Sequence, residues 1–329
     1  MHSRRTFLQN TLLAAGTAAF SLSALAKATS LPQASRIIVG FGAGGAIDLL
    51  ARVLAESVAA QLGNGHYVVV DNKPGANGQI AVQNLLTSPA DGSTYLIAPL
   101  ITPVLSQIVY KKPGYDPARD FAPVSLLAHF QFALAVPAKH PARNIAEYVA
   151  WLKAHPDKAN FGSPAVGSLP HFFGLLLGEA AGVNIVHVPY KGGPAMTTDL
   201  ISGQLASAIQ TTSELVPLHK EGKVRILGTF GPTRAKETPD IPTFTEAGYP
   251  KAVGSGWYSL WARKGTPDAA IATLNQTVNT ALQDPKLQSK WAELSLQPDP
   301  RTPQALEQLR VAEVAKWRPV ITASGFSIE

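Results

Sequence analysis

The chain has 329 residues, 46% of them apolar and 15% charged, enough for a large buried core and about the length of two ordinary domains. It contains no cysteine, which excludes disulfides, thiolate metal sites, iron–sulfur clusters and a cysteine nucleophile. The formal charge of +6 falls to +4 when Arg4 and Arg5 are set aside (26 Lys and Arg against 22 Asp and Glu), and no block of five basic residues follows, so nucleic acid is not an expected partner.

At the N-terminus, Ser3-Arg4-Arg5-Thr6-Phe7-Leu8-Gln9 precedes an Ala-rich apolar run over 11–25 and the small-residue site Ala24-Leu25-Ala26. This predicts an export signal over 1–26. The paired arginines followed by Phe-Leu resemble a twin-arginine signal, and a general secretory signal is the alternative. Both lead to the periplasm. The run is shorter than the roughly 20 residues that span a bilayer, and no lipobox cysteine follows it, so the mature chain is expected to be soluble.

From Arg36 onward, strand-like and helix-like segments alternate. Ile37-Ile38-Val39 is short and β-branched. Over 46–62, Ile47, Leu50, Leu54, Val58 and Leu62 form one helical stripe, with Asp48, Arg52 and Glu56 spaced as a ladder beside it and Gly63 closing the helix. A strand over 67–70, a helix over 79–86 and a strand over 94–98 continue the rhythm, which calls for a parallel sheet covered by helices. Residues 124–136 are apolar for longer than one sheet usually needs and are expected to cross to a second lobe. There the units repeat: helix 145–154, strand 159–162, helix 170–181, strand 185–188, helix 194–202, strand 205–210 and strand 225–229. A Pro-rich stretch leads to a second crossing strand over 257–262, and helices over 268–283, 285–294 and 303–323 end the chain. The expected architecture is α/β with two lobes, each a mostly parallel sheet flanked by helices, and a ligand cleft between them. Lobe 1 is assigned 31–128 and 253–329, and lobe 2 is assigned 129–252.

The candidate chemistry lies in strand-to-helix loops. Gly40-Phe41-Gly42-Ala43-Gly44-Gly45 satisfies G-x-G-x-x-G, and Asp71 stands at the end of the next strand, as a ribose-binding acid would. Physically the loop offers backbone amides and a helix N-terminus to an anion, and a phosphate and a carboxylate both fit that description. Asp71 runs straight into a second turn-rich loop, Asn72-Lys73-Pro74-Gly75-Ala76-Asn77-Gly78, which weighs against the nucleotide. Two further loops, Gly162 to Ser168 and Pro189 to Pro194, bring small residues and free amides to the second lobe, with Ser168 placed to cap a helix that has Pro170 in its first turn. All four are expected to converge on a carboxylate. No G-x-S-x-G, H-E-x-x-H or Walker pattern occurs, and the eight histidines lack metal spacing. His171 is the best candidate base, although packing or capping is its commoner role. The tryptophans, with Trp257 and Trp261 among them, read as packing. Phe41, Phe130 and Phe132 offer an aromatic wall, with core burial the alternative for the last two.

Taken together, Gly44-Gly45 and Asp48, the Asp71 to Gly78 loop, Asp91-Gly92, Tyr115-Asp116-Pro117, Asp120 to Ser125, Phe161-Gly162-Ser163, His187 to Gly192, Asp199-Leu200 with Gly203-Gln204, Pro239 to Thr243 and Glu246-Ala247-Gly248 resemble the Bug-type receptors of tripartite tricarboxylate transporters. The resemblance covers nearly the whole mature chain. It implies a monomeric, non-catalytic periplasmic solute-binding protein that closes on a small mono- or dicarboxylate, aliphatic or aromatic, and presents it to membrane transporter subunits, with no cofactor and no metal. It places ligand contacts on Phe41, Ala43, Gly44, Gly45, Asp48, Thr102, Ser163, Ser168, Tyr190, Lys191 and Gly192. Gln210-Thr211-Thr212 departs from the family, which often has Asp-Asn there. Asp48 would repel a bare anion, so its carboxylate is expected to cap amides, to order a water or to pair with a ligand ammonium. An exported NAD(P)-dependent oxidoreductase and a ligand-sensing partner of a signalling system are the rival readings.

Overall fold

A computed structural model describes residues 31–190 and 192–329; the leader over 1–26 and Lys191 lie outside the described residues. Strand β1 (Ala34–Val39) leads into helix α1 (Ala46–Leu62), followed by β2 (Tyr67–Asn72), α2 (Gln79–Thr87) and β3 (Thr94–Pro99). After a π-helical turn at Ile101–Leu105 come the short α3 (Ser106–Val109) and α4 (Pro117–Asp120), then β4 (Phe121–Phe130) and β5 (Phe132–Pro137). The middle of the chain forms α5 (Ile145–Ala154), β6 (Asn160–Ser163), α6 (Leu169–Ala181), β7 (Val186–Pro189), α7 (Gly193–Ser202), β8 (Ala208–Thr211), α8 (Thr212–Lys220) and β9 (Val224–Thr229). The remainder is β10 (Gly256–Arg263), α9 (Asp268–Ala281), α10 (Pro285–Glu293), β11 (Gln297–Pro298) and α11 (Pro303–Ala323).

These strands build two sheets, in the orders β11-β4-β10-β3-β1-β2 and β7-β6-β8-β5-β9. β1 pairs in parallel with β2 and β3, and β6 pairs in parallel with β7 and β8. The sheets are nevertheless mixed, less parallel than the alternating pattern predicts. β10 and β11 run antiparallel in the first sheet and β5 runs antiparallel in the second. The cause is the crossing chain. The apolar run read as one segment breaks at Gln131 into β4 of the first sheet and β5 of the second, and β10 brings the chain back antiparallel to both β3 and β4.

The α1 stripe of Ile47, Leu50, Leu54 and Val58 is buried on the first sheet, as a 3.6-residue period requires. The charged ladder beside it forms only in part: Arg52 reaches Asp48 at 3.0 Å, while Glu56 faces Lys290 of α10 at 3.6 Å. Trp257, Trp261, Trp291 and Trp317 are fully buried. Trp317 of α11 packs edge-on against Phe173 of α6, with centroids 5.5 Å apart, so the last helix joins the elements around the first sheet to a helix of the second. The C-terminal ends of β1, β2 and β3 on one side, and of β6, β7 and β8 on the other, carry the loops described next, as expected of open α/β sheets with their sites at the carboxyl ends of strands.

Candidate functional site

In the first loop Gly44 takes φ of 84°, a left-handed conformation that favours glycine, and its amide turns inward to Asp48 Oδ2 at 2.9 Å. The same oxygen accepts from Arg52 Nε at 3.0 Å, while Oδ1 accepts from Asn72 Nδ2 at 2.9 Å. Asn72 Nδ2 also donates to the Phe41 carbonyl at 3.1 Å, and Arg52 donates to Asn72 Oδ1 at 3.1 Å. The Asp48 residue is 1% exposed. Burial pushes its carboxyl up, but hydrogen bonds from Arg52, the Gly44 amide and Asn72 outweigh this and hold it below the usual value of 3.8. The Asp48 oxygens are thus engaged in shaping the loop, and of the three expected roles, capping is the one this geometry supports. The Gly44 amide is consumed with it. Phe41 and the exposed Ala43 and Gly45 remain, and among the described residues the Ala43 and Gly45 amides have no acceptor.

On the second lobe the loop between β6 and α6 is tied down from beneath. Ser163 is 0% exposed, with its hydroxyl 2.7 Å from His187 Nε2 and 3.1 Å from the Ala165 carbonyl, so it holds the loop and does not face the cleft. The Ser168 hydroxyl donates to the Ala165 carbonyl at 2.6 Å, and although Ser168 is the N-cap residue of α6, its side chain does not cap. The Gly192 amide donates to the Pro164 carbonyl at 2.9 Å and the Tyr190 amide to the Ser163 carbonyl at 3.0 Å. The Tyr190 hydroxyl donates to Asp199 Oδ2 at 2.5 Å; burial, then this bond, pushes it up to about 12. Thr102 is 2% exposed inside the π-helical turn, where its carbonyl accepts from the Tyr115 hydroxyl at 2.9 Å. The polar groups of Ser163, Tyr190 and Gly192 named above are thus engaged within the loops, and Thr102 is held through its carbonyl.

His171 and His187 stack with ring centroids 4.0 Å apart under this loop, and burial lowers both to about 4. The Gly167 amide donates to His171 Nδ1 at 3.3 Å, which fixes that nitrogen as an unprotonated acceptor. His171 is accordingly a neutral packing residue. No cluster of three potential metal ligands occurs among the described residues.

Between the loops lies a cavity of about 210 Å³. Of the sequence-predicted contacts, Phe41 and Ser168 line it; Ala43 and Gly45 stand on the loop that carries Phe41. Sequence reasoning missed Asn77, Thr211 and Tyr258 as lining residues; Phe130 and Phe132, offered as an aromatic wall with core burial as the alternative, both stand on the lining. Asn77 sits in the second turn-rich loop at φ of 51° and donates to the Tyr110 hydroxyl at 2.9 Å. Phe130 stacks on Tyr258, with centroids 4.6 Å apart and planes 27° apart, and this is possible because Gly256 opposite has no side chain: a Cβ there would stand 2.3 Å from Phe130 Cζ.

The dinucleotide reading loses its geometry. The glycine with the left-handed backbone is Gly44, outside the G-x-G-x-x-G positions; Gly42 has open space around it, Gly45 meets only an ordinary contact at 3.7 Å, and Gly40 is needed for packing against Gly78, whose Cα would stand 2.8 Å from a Cβ there. Asp71 is engaged by Arg36 and Lys73, each at 3.3 Å.

Two mixed sheets, each edged by loops that meet over one small cavity, define a two-lobed α/β solute-binding protein. Residues 50–326 match the profile of the tripartite tricarboxylate transporter family receptors, and the chain belongs to that family. It is 32% identical over 328 residues to the UPF0065 protein in the gbd 5′ region of Cupriavidus necator, covering 98% of both chains. Among solved structures, a structure of an R. palustris protein with adipate superposes with a TM-score of 0.81 at 31% identity, covering 89% of this chain and 98% of that one. MatC from Rhodopseudomonas palustris with bound malate superposes with a TM-score of 0.76 at 29% identity, covering 88% and 98%.

Proposed function

We propose that this protein is a periplasmic receptor that closes two lobes over a small carboxylate, leaves its covalent bonds untouched and hands it to the membrane subunits of a tripartite tricarboxylate-type transporter. The observation that carries this reading is the pair of amides without acceptors on the exposed residues Ala43 and Gly45, on the loop whose Phe41 lines the cavity, with Ser168 of the other lobe on the same lining. An anion supplies the missing acceptor, and the N-terminus of α1 behind the loop favours negative charge. Family membership and the diacids in the two superposed structures support the ligand class. The leader over 1–26 supports export, and no described helix is long and apolar enough to cross a membrane.

Hydrogen bonds to a charged group contribute about 1.5–3 kcal/mol each. Four or five of them supply on the order of 6–15 kcal/mol gross, against about 8 kcal/mol net for micromolar binding. The surplus has to offset lost rigid-body freedom and lobe closure. Micromolar affinity follows for a loop that Asp48 has already arranged. The test is a thermal-shift screen of carboxylic acids, sugars and amines, followed by calorimetry, since a ligand that binds only the folded state raises its melting temperature. Carboxylates are expected to respond. A response confined to sugars or amines, or a stoichiometric NAD(P) complex, overturns the reading.

A further inference from the structure

We infer that Tyr258 is a ligand-binding residue of the cleft. Its hydroxyl donates to a second oxygen acceptor on a short carboxylate, at the end away from the one held by the Ala43 and Gly45 amides. This deepens the function proposed above and rests on it.

Buried hydroxyls are as a rule paired, because a hydrogen bond left unmade is costly. The other deeply buried tyrosines follow this rule: Tyr95 donates to the Gly92 carbonyl at 2.6 Å, Tyr115 to the Thr102 carbonyl at 2.9 Å and Tyr148 to Ser207 Oγ at 2.6 Å. Tyr258 is 9% exposed, yet its hydroxyl has no acceptor among the described residues. Lys191 lies outside them, but a lysine ammonium carries donors and no acceptor, so it cannot take the phenolic proton. Nor is the Tyr258 hydroxyl sealed inside the core, as the unpaired indole nitrogens of Trp257 and Trp291 are. The residue stands on the lining of the cavity. Burial pushes its hydroxyl above the usual tyrosine value, so at neutral pH the group keeps its proton and donates.

The ring is rigidly held for this role. Tyr258 stands on the interior strand β10, opposite Pro99 of β3 and Ala128 of β4, and Phe130 stacks on its ring with centroids 4.6 Å apart. Its polar neighbours on the lining are partly spent: the Ser168 hydroxyl donates to the Ala165 carbonyl, and Asn77 donates to the Tyr110 hydroxyl. β10 lies two places from β1 in the first sheet, roughly 10 Å at the usual spacing of strands, and β1 carries the loop with the Ala43 and Gly45 amides. A ligand that reaches both sets of donors therefore carries an oxygen acceptor at each end. An acid with a single carboxylate and nothing else takes the water from the phenol without replacing its hydrogen bond, and loses affinity for that reason. The edge-on pair of Phe130 and Phe132, 5.3 Å apart, gives an apolar surface for the carbon chain between the two ends.

The experiment is isothermal calorimetry of the mature chain and of Tyr258→Phe, which keeps the ring and removes only the hydroxyl. The probes are the plain acids butanoate, pentanoate and hexanoate, and acids of matching length with a second oxygen acceptor: succinate, 4-oxopentanoate, glutarate and adipate. In the native protein at least one acid of the second set is expected to bind about tenfold or more tighter than the plain acid of its length. Tyr258→Phe is expected to reduce that advantage to about threefold or less while changing the plain acids by less than about twofold. Without ligand, the variant is expected to melt within about 2 °C of the native protein, since the hydroxyl has no protein bond to lose. An advantage that survives in Tyr258→Phe, or its absence from the native protein, overturns the inference and leaves the carboxylate receptor standing. An equal loss of affinity for plain and second-acceptor acids overturns it as well. Silence from every acid overturns the receptor reading and the inference with it.

Discussion

Replacing Asp48 with Asn keeps the shape of the side chain and removes the charge that organises the first loop. In the native arrangement one carboxylate accepts from the Gly44 amide, Arg52 and Asn72. An amide can offer only one acceptor oxygen, so either Asn72 or the Gly44 and Arg52 pair faces an N–H group. Leaving buried donors unpaired costs about 1–3 kcal/mol each, and bonds to a charged group are worth about 1.5–3 kcal/mol. The Arg52 side chain is 49% exposed, so solvent screens its share and it adds little. The net loss works out at about 2–4 kcal/mol. For a chain of this size each kcal/mol lowers the melting temperature by about 2 °C, so Asp48→Asn is expected to melt roughly 4–8 °C lower by differential scanning calorimetry. Because the folded carboxyl is held below 3.8, its contribution is full above that pH and is lost as the pH falls through the lowered value. The difference between the two proteins therefore closes in acid. Carboxylate affinity should fall with the stability, since the Ala43 and Gly45 amides are no longer pre-arranged. An unchanged melting temperature together with altered discrimination between aspartate-like and succinate-like ligands would refute this account and return Asp48 to the ligand.

The paired rings of His171 and His187 predict an acid-sensitive second lobe. With folded values of about 4 against 6.5, the unfolded chain binds protons first, so stability falls between pH 6.5 and about 4 and levels off below. The loss is about 1–2 kcal/mol per ring at pH 5; His187→Gln should flatten the melting-temperature profile between pH 7 and 5, and an equal slope in both proteins would count against it. Gly256→Ala forces a Cβ to within 2.3 Å of Phe130 Cζ and should cost about 1–3 kcal/mol as an overpacked site. It should also weaken carboxylate binding, whereas unchanged affinity after a clear drop in melting temperature would mean that the Phe130 ring is not part of the ligand surface.

Much of the scaffold was legible because its signals are local. The bounds of α1 followed from a stripe that the structure buries, and the loops after β1 and β6 followed from glycines between a strand and a helix. Helix α8 was missed: Pro217 interrupts it, and its buried side comprises only Thr212, Leu215 and Val216, so no period stood out. Residues 205–207, read as strand, instead form a loop in which Asn160 Oδ1 accepts from the Ala206 amide at 3.0 Å, a contact 46 residues away in sequence. The site was harder still. Phe130, Phe132 and Tyr258 sit in continuous apolar runs, where periodicity cannot separate a side chain facing the core from one facing a cleft. The role of Asp48, on α1, was open because its partner Asn72 comes from the end of β2.

The last residues of the chain tie the two halves together, and this leads to a further prediction. The Ile328 amide donates to the Val109 carbonyl at 2.6 Å and its carbonyl accepts from Lys111 at 3.0 Å, anchoring the tail beside α3. Two residues earlier, Phe326 packs edge-on against His171 at 4.9 Å and Phe172 at 5.9 Å, directly under the loop that carries Ser168. Deleting residues 325–329 removes two backbone hydrogen bonds at about 1 kcal/mol each and one half-buried ring worth about 1 kcal/mol, or about 2–3 kcal/mol in all. The pair of Lys111 and Glu329 is exposed and adds little. If that energy holds the second-lobe loop in register with α3, its loss weakens ligand binding by roughly 10- to 100-fold and increases the radius of gyration in solution scattering. A truncated chain that melts lower yet binds its carboxylate with undiminished affinity would show that the tail stabilises the elements it touches without setting the lobes for the ligand.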